Sequence, residues 1–486
     1  MAWFKTNRWW LLLLAVLVLA AYIWTLGFKF LSDDIYGIVD NKQIFSWSWV
    51  WQNPLVVTGR LINWLIAHLF GITPWPFRLV NILVHYLAAI GVMVLVSRLI
   101  GRTTGILAAV LVAVHPLLIE SVTWIAGNGY VWYSMFLIWS LVFYCLAEKK
   151  QSWLWLSIGF FFLSLEFSEK AMMFPGILIA YRLLVNKKRG RIWDLLPYFF
   201  LSGVWIFLNF RNVGVRLNYL QTEYNAPSVA GMINPLLAVP VAVANYLSLI
   251  FWPDKLTLYH SETNPNPTLF NFQAGITAAY LLITVWLVLR RKPAGFWMSW
   301  FIIGLSPTLT ATMWGAAWLV AERYAYFSAL GLLVLIAWGL VKLTQKKSCR
   351  DLGWLLISLI LTGLFIRTVI RNLDWQDQDH LWLAAERTSP NSAQNHNNLG
   401  DLYGRRGDLA LAEKHFLWAI RLNPNYADAM HNLANIYLQA REFKQAIYWY
   451  QQALTNKPQL WQSQKMLNEI NRYLEVNHIP LTKDTP

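Results

Sequence analysis

Long apolar runs separated by short polar stretches fill the first 370 residues of the chain. They lie at roughly 9–26, 78–97, 103–119, 129–147, 152–167, 171–186, 193–210, 273–290, 295–313, 325–343 and 352–370. An α-helix needs about 20 apolar residues to cross a bilayer core. Inside a bilayer the backbone must satisfy its own hydrogen bonds, so runs of this kind predict helices. The pattern predicts an all-α polytopic membrane domain over residues 1–371, with about eleven spans.

Basic clusters set the orientation. Lys5/Arg8, Arg98/Arg102, Lys149/Lys150, Lys187/Lys188/Arg189/Arg191, Arg290/Arg291/Lys292 and Lys342/Lys346/Lys347/Arg350 occupy every second loop. Short loops rich in Lys and Arg stay cytoplasmic. The N-terminus is therefore expected inside an inner (cytoplasmic) membrane, and the chain beyond residue 370 outside it. No small-residue cleavage site precedes Lys29, so the first run reads as a retained anchor. Residues 236–252 are apolar enough to span, but spanning would invert every later cluster. Pro235, Pro240 and Pro253 also interrupt the stretch, and proline costs about 3 kcal/mol in a helix interior. A re-entrant or interfacial hairpin buried against protein is expected there.

The tail, 372–486, carries an internal period. Pro390, Pro424 and Pro458 are spaced by 34 residues, and Leu399/Leu433, Tyr403/Tyr437, Ala412/Ala446, Phe416/Tyr450 and Ala419/Ala453 keep the same spacing. This is the tetratricopeptide pattern of paired helices. It predicts a half repeat at 375–390, full repeats at 391–424 and 425–458, and a capping helix at 459–477. So short an α-solenoid is expected to lean on the membrane domain.

Composition agrees with the pattern: 57% of residues are hydrophobic and 13% charged. The 29 Trp and 21 Tyr suit the headgroup level of a bilayer. The formal charge of +15 sits in the loop clusters, which argues against nucleic-acid binding. Cys145 and Cys349 both fall at expected cytoplasmic helix ends, so no disulfide is expected.

Candidate chemistry gathers at the outer boundary. Asp33 and Asp34 follow the first helix directly. A partly desolvated carboxylate is what a general base needs to accept a hydroxyl proton near neutral pH. Arg60, Arg78, His115, Glu120, Glu166, Glu169, Lys170, Glu322 and Arg323 fall on the same side, and Arg211 ends the 193–210 run. Ionisable groups at such positions are rare and default to functional hypotheses, although any one of them also serves as an interhelical hydrogen bond. Acids with fixed cations suit sugar transfer from a lipid phosphate. The cations would hold the phosphate, and the carboxylate would deprotonate the acceptor hydroxyl. No zinc spacing or phosphate loop is present, and Gly400, Gly404 and Gly407 fall inside a repeat. Asp33 and Asp34 could instead hold a divalent cation, although no metal is required.

The blocks SDDIYGIVDN (32–41), RLVNILVH (78–85), HPLLIESVTWIA (115–126), NPLLAVPVAVANYLSLIFWPDKLTLYH (234–260) and AERYAYFSALG (321–331) precede the Trp375…Leu381-Trp382…Pro390 junction. In this order they resemble bacterial relatives of the eukaryotic transmembrane-and-tetratricopeptide-repeat O-mannosyltransferases of the GT-C class. The resemblance implies a GT-C-like fold, a polyprenyl-phosphate sugar donor and, as acceptor, Ser or Thr of a protein. By position it implies Asp33 as catalytic base beside Asp34, and Arg323 at the carrier phosphate. Lys170, Arg60, His115, Glu120 and Arg211 become further substrate-binding candidates. Where relatives place a charged turn, this chain reads Gly127-Asn128-Gly129-Tyr130, and Lys170 sits in a shortened context, SEKAMMFP. The rival reading is a non-catalytic membrane-anchored repeat scaffold for envelope or pilus assembly. In either reading the repeats would grip a protein, the acceptor or a partner.

Overall fold

The computed structural model describes residues 2–186, 192–223, 235–260, 267–309 and 319–478, and no strand occurs among them. Seven helices there are long and apolar enough to cross a membrane. They are Lys5–Gly27, Pro74–Leu99, Gly129–Ala147, Ile192–Asn209, Leu269–Leu289, Glu322–Gln345 and Lys347–Leu373. The chain is a multi-pass membrane protein. Shorter apolar helices, Ser152–Phe167, Phe174–Leu184 and Pro293–Leu309, pack among them.

The run expected as one straight helix over 103–119 is broken. Helix Arg102–Val114 stops at His115, and the chain turns by 56° into Pro116–Thr123. Proline disfavours the helical conformation in the residue before it, and His115 is extended, with φ −82 and ψ 120. One imidazole nitrogen accepts the Leu117 amide at 3.3 Å, and the other meets the Ile250 carbonyl at 3.0 Å. The break keeps 115–125 inside the fold as a buried shelf, with Ala126 exposed at its end. The ionisable groups at one end of the bundle gather on it.

Where a hairpin is expected, residues Pro235–Phe251 form a single 17-residue helix containing Pro240. At 1.5 Å per residue it is about 25 Å long, short of the roughly 30 Å hydrocarbon core. Pro240 lies in the second turn, so it removes a hydrogen bond near the helix start only. The Thr277 hydroxyl donates to the Pro240 carbonyl at 3.0 Å.

Alternation along the bundle gives it two chemically distinct ends. At one, Arg102 donates to Asn7 at 3.0 Å and Arg98 to the Cys145 carbonyl at 2.8 Å. At the other lie Asp34, Glu120, Lys170, Arg323 and Arg371. Between them, small hydroxyls bind helices together: Ser140 and Ser157 each donate to the other's carbonyl, at 2.8 and 2.7 Å. Such pairs satisfy polar groups that lipid cannot.

From the second end, helix Arg350–Leu373 leads into the tail. Helix Gln378–Thr388 comes first, capped by Asp377 through the His380 amide at 3.1 Å. Helices Ala393–Arg405, Leu409–Leu422, Ala427–Gln439 and Phe443–Asn456 follow as antiparallel pairs, and Trp461–Val476 closes the stack. Ala412 and Ala446 are fully buried, and Phe416 and Tyr450 fill the space beside them.

The tail is docked on the membrane domain. Buried Trp375 stacks on Trp124 with ring centroids 6.1 Å apart. The Lys29 amide donates to the Gln376 carbonyl at 3.0 Å. The Ser389 hydroxyl lies 2.9 Å from that of Thr257, and Asn398 donates to the Tyr259 hydroxyl at 2.8 Å.

Candidate functional site at the Asp34 end

The Asp33–Asp34 turn is held from below. Asp34 is wholly buried; one carboxylate oxygen accepts the Leu31 amide at 3.1 Å and the other the Ala126 amide at 2.7 Å. Burial pushes its carboxyl up to about 6, against the pull of those two amides and of Arg78. Arg78, also buried, donates to the Thr123 carbonyl at 3.1 Å and to the carbonyls of Phe28 and Lys29. The loop after the first helix is thereby fastened to the shelf at 123–126. Asp33, by contrast, is exposed, with the Ser32 hydroxyl 3.4 Å away. The two aspartates divide the work: Asp34 anchors, and Asp33 faces out.

The other end of the shelf holds Arg323. Glu120, buried, accepts the Arg323 amide at 2.7 Å and pairs with its guanidinium. That guanidinium also lies 5.4 Å from the Trp124 ring centre and 5.1 Å from that of Tyr324. On Tyr324 it meets a second cation. The Lys170 ammonium is 5.6 Å from the Tyr324 ring centre and 5.2 Å from that of Tyr130, and pairs with Glu169 at 2.9 Å. Burial works against the Lys170 charge, but Glu169 and the two phenol rings outweigh it, so the ammonium is held above its usual range. Two cations thus share one aromatic ring at the boundary, a geometry that favours positive charge.

A third cluster lies beneath the docked tail. Arg371 donates to Glu322 at 3.2 Å and to Asp374 at 2.9 Å, and the His260 ring approaches Glu322 at 3.9 Å. Burial, with Arg371 and Arg323 nearby, lowers His260 to about 3, so its ring is neutral.

Of the residues singled out in the sequence, Asp34, Glu120, Arg323 and Lys170 converge on the stretch 120–130 and its partner Tyr324. Asp33 sits beside Asp34 on the exposed side of the turn. Arg60 donates to the Trp49 carbonyl at 2.7 Å and lies 4.9 Å from the centre of that ring. It lines a cavity of about 280 Å³ with Trp49, Asn63, Ala126, Asn128, Trp132 and Glu166. His115 is turned away toward Ile250 and holds the bend. Arg211 falls on helix Leu196–Glu223, and its side chain lies outside the described residues. As for a cation, Asp34 has both oxygens committed to amides, and among the described residues no three His, Cys, Asp or Glu gather.

Sequence reasoning missed Tyr130, Tyr324 and Trp124 as ring partners, and Arg371 with His260. The aromatic ring adjoining Arg323 in Glu322-Arg323-Tyr324 was the available signal.

Residues 53–213 match the family described as dolichyl-phosphate-mannose-protein mannosyltransferase, and residues 397–460 match a tetratricopeptide repeat. The chain is 23% identical to the mouse protein O-mannosyl-transferase TMTC3 over 96% of its own length and 57% of that protein. With human TMTC3 the identity is 22%, over 96% of this chain and 58% of the relative. The chain therefore spans little more than half the length of these curated relatives. An oligosaccharyltransferase of Archaeoglobus fulgidus superposes with a TM-score of 0.40 at 14% identity, covering 76% of this chain and 55% of that one.

Proposed function

We propose that this chain, a relative of the TMTC protein O-mannosyl-transferases, is a GT-C-type glycosyltransferase acting on the extracytoplasmic side of the membrane. Its donor is a sugar on a polyprenyl phosphate, and its acceptor is a hydroxyl, foremost a Ser or Thr of a protein. The Asp34 end faces outward, away from the loops that carry the basic clusters.

The observation that carries this reading is the pairing of Arg323 and Lys170 across Tyr324, on the same shelf that anchors the Asp33–Asp34 turn. In the proposed step Asp33 takes the proton of the acceptor hydroxyl. The oxygen forms its bond to the anomeric carbon from the face opposite the phosphate, with inversion. The bond between that carbon and the phosphate oxygen breaks, and the phosphate leaves with the electron pair. Arg323 and Lys170 offset the charge that accumulates on it. A phosphate is already a stable anion, so no strong general acid is required. The docked repeats hang beside this turn through Lys29 and Asp377, 3.5 Å apart, and are suited to guide a polypeptide acceptor toward it.

The test uses the purified full-length protein in nanodiscs, supplied with a short polyprenyl phosphomannose and a Ser/Thr-rich peptide. Glycopeptide and free polyprenyl phosphate are expected in equal amounts. Absence of both, with other phosphohexose donors tried in turn, would favour the rival scaffold reading.

A further inference from the structure

The cavity between helix Val57–Phe70 and the 126–129 turn has a composition that the phosphate and the base do not explain. Two of its polar side chains, Asn63 and Asn128, make no side-chain hydrogen bond among the described residues. Glu166 uses one oxygen on the Thr58 amide at 2.8 Å and leaves the other without a partner among them. Three amide or carboxylate groups therefore face one half-enclosed space with hydrogen-bonding capacity unused. Glu166 is a buried side chain and Asn63 and Asn128 are half-buried at the cavity rim, so all three can meet a ligand that enters the space.

The rest of the lining narrows the chemistry. Trp49 and Trp132 supply aromatic walls. Trp132 is fixed by stacking on Phe167, with centroids 4.7 Å apart, and by donating to Asn81 at 3.2 Å. Gly129 lets the turn press against the end of helix Ser152–Phe167, because a β-carbon there would stand 2.9 Å from the Phe167 carbonyl. The turn that replaces the charged turn of the relatives is thus packed so that Asn128 borders the cavity. At about 280 Å³ the space falls just under the roughly 300–1,000 Å³ that drug-sized ligands occupy. That is room enough for one sugar ring. Asn and Glu supply the donors and acceptors that neighbouring hydroxyls require.

Its place relative to the cations is the decisive point. Gly129 lines the cavity, and the next residue, Tyr130, carries the Lys170 ammonium against its ring. Ala126 lines the same cavity and donates its amide to Asp34. The cavity therefore lies one residue along the chain from the ring that Lys170 packs against, and it shares Ala126 with the aspartate turn. We infer that this cavity is a binding site for the single hexopyranose ring of the donor, with Asn63, Asn128 and Glu166 reading its hydroxyls. The inference rests on the transferase reading above and names the part of the donor that this site takes.

The test measures binding rather than turnover. Full-length protein in nanodiscs is titrated calorimetrically with a short polyprenyl phosphate, bare or esterified with a single mannose, glucose or N-acetylglucosamine. Wild type is expected to bind at least one sugar-bearing probe about tenfold more tightly than the bare one, a difference of about 1.4 kcal/mol. In N63A/N128A that advantage is expected to vanish while affinity for the bare probe stays unchanged. Asn128→Gln, which keeps the amide on a longer arm, gives a second reading with the fold intact and is expected to lose most of the advantage. Retention of the full advantage in these variants overturns the inference. So does equal binding of bare and sugar-bearing probes by wild type, an outcome that leaves the transferase reading standing. Failure of wild type to bind any of the probes overturns both.

Discussion

An oxygen of Asp34 accepts the Ala126 amide at 2.7 Å, joining the loop after the first helix to the shelf from which Glu120 grips Arg323. A carboxylate from one end of the sequence and a cation from more than 280 residues later are thereby referred to one short backbone segment. Holding reacting groups in fixed relation is itself a large part of catalysis. Removal of this anchor should therefore show in activity. Asp34→Ala would strand the Leu31 and Ala126 amides and leave Arg78 without its carboxylate. The Leu31 amide is buried, and a buried group left unsatisfied costs about 1–3 kcal/mol. A lower melting temperature in detergent and a loss of turnover are expected together.

The same residue gives a pH dependence. Its carboxyl is raised to about 6 in the fold against an ordinary 3.8, chiefly by burial. Between those values the unfolded chain gives up the proton first, so the Asp34 contribution to stability falls as pH rises from about 4 to 6 and is constant above that. For activity the sign is opposite, because the two-amide anchor needs the ionised form. Turnover is expected to rise with pH through about 6, and this step should disappear in Asp34→Asn. A pH–rate profile of both proteins measures it.

Glu120 positions Arg323 through both backbone and side chain. Removing one partner of a buried ion pair costs about 3–5 kcal/mol, because the other is left uncompensated. Glu120→Ala is expected to destabilise by that order in a thermal-shift measurement. Arg323→Lys retains the charge but not the planar fork. It should fold, and it should lose at least tenfold in kcat with the phosphate donor.

The tail offers an independent check on packing. A β-carbon at Gly400 would lie 2.6 Å from the Phe416 ring, inside the first full repeat. Overpacking of this kind costs about 1–3 kcal/mol. Gly400→Ala should make the repeats sensitive to limited proteolysis while leaving the membrane domain's melting transition in place.

Much of this architecture is legible in the sequence because its signals are local. The 34-residue period, the apolar runs and the alternating basic loops each report on neighbours in the chain. Asp34, Glu120, Lys170 and Arg323 are legible for a related reason, since charge beside an apolar run is conspicuous. Pro116 also marks a break, yet a hydropathy pattern reads 103–119 as one run and cannot register a 56° turn. The remainder depends on meetings between distant residues. Arg371 finds Glu322 across 49 positions, and Thr123 donates to Asn372 across 249, at 2.6 Å. Nothing periodic encodes such pairs. The different duties of Asp33 and Asp34 are likewise set by burial, which two adjacent identical residues do not announce.

The most direct measurement compares Asp33→Asn with wild type, following donor binding and single-turnover sugar transfer on the same samples. Asp33 is exposed and, among the described residues, makes only a long contact with Ser32, so the variant should fold normally. The expected result is unchanged affinity for polyprenyl phosphomannose with transfer slowed about 10²–10⁴-fold, the range for loss of a positioned base. Equal transfer rates in the two proteins would contradict Asp33 as the base and the account built on it.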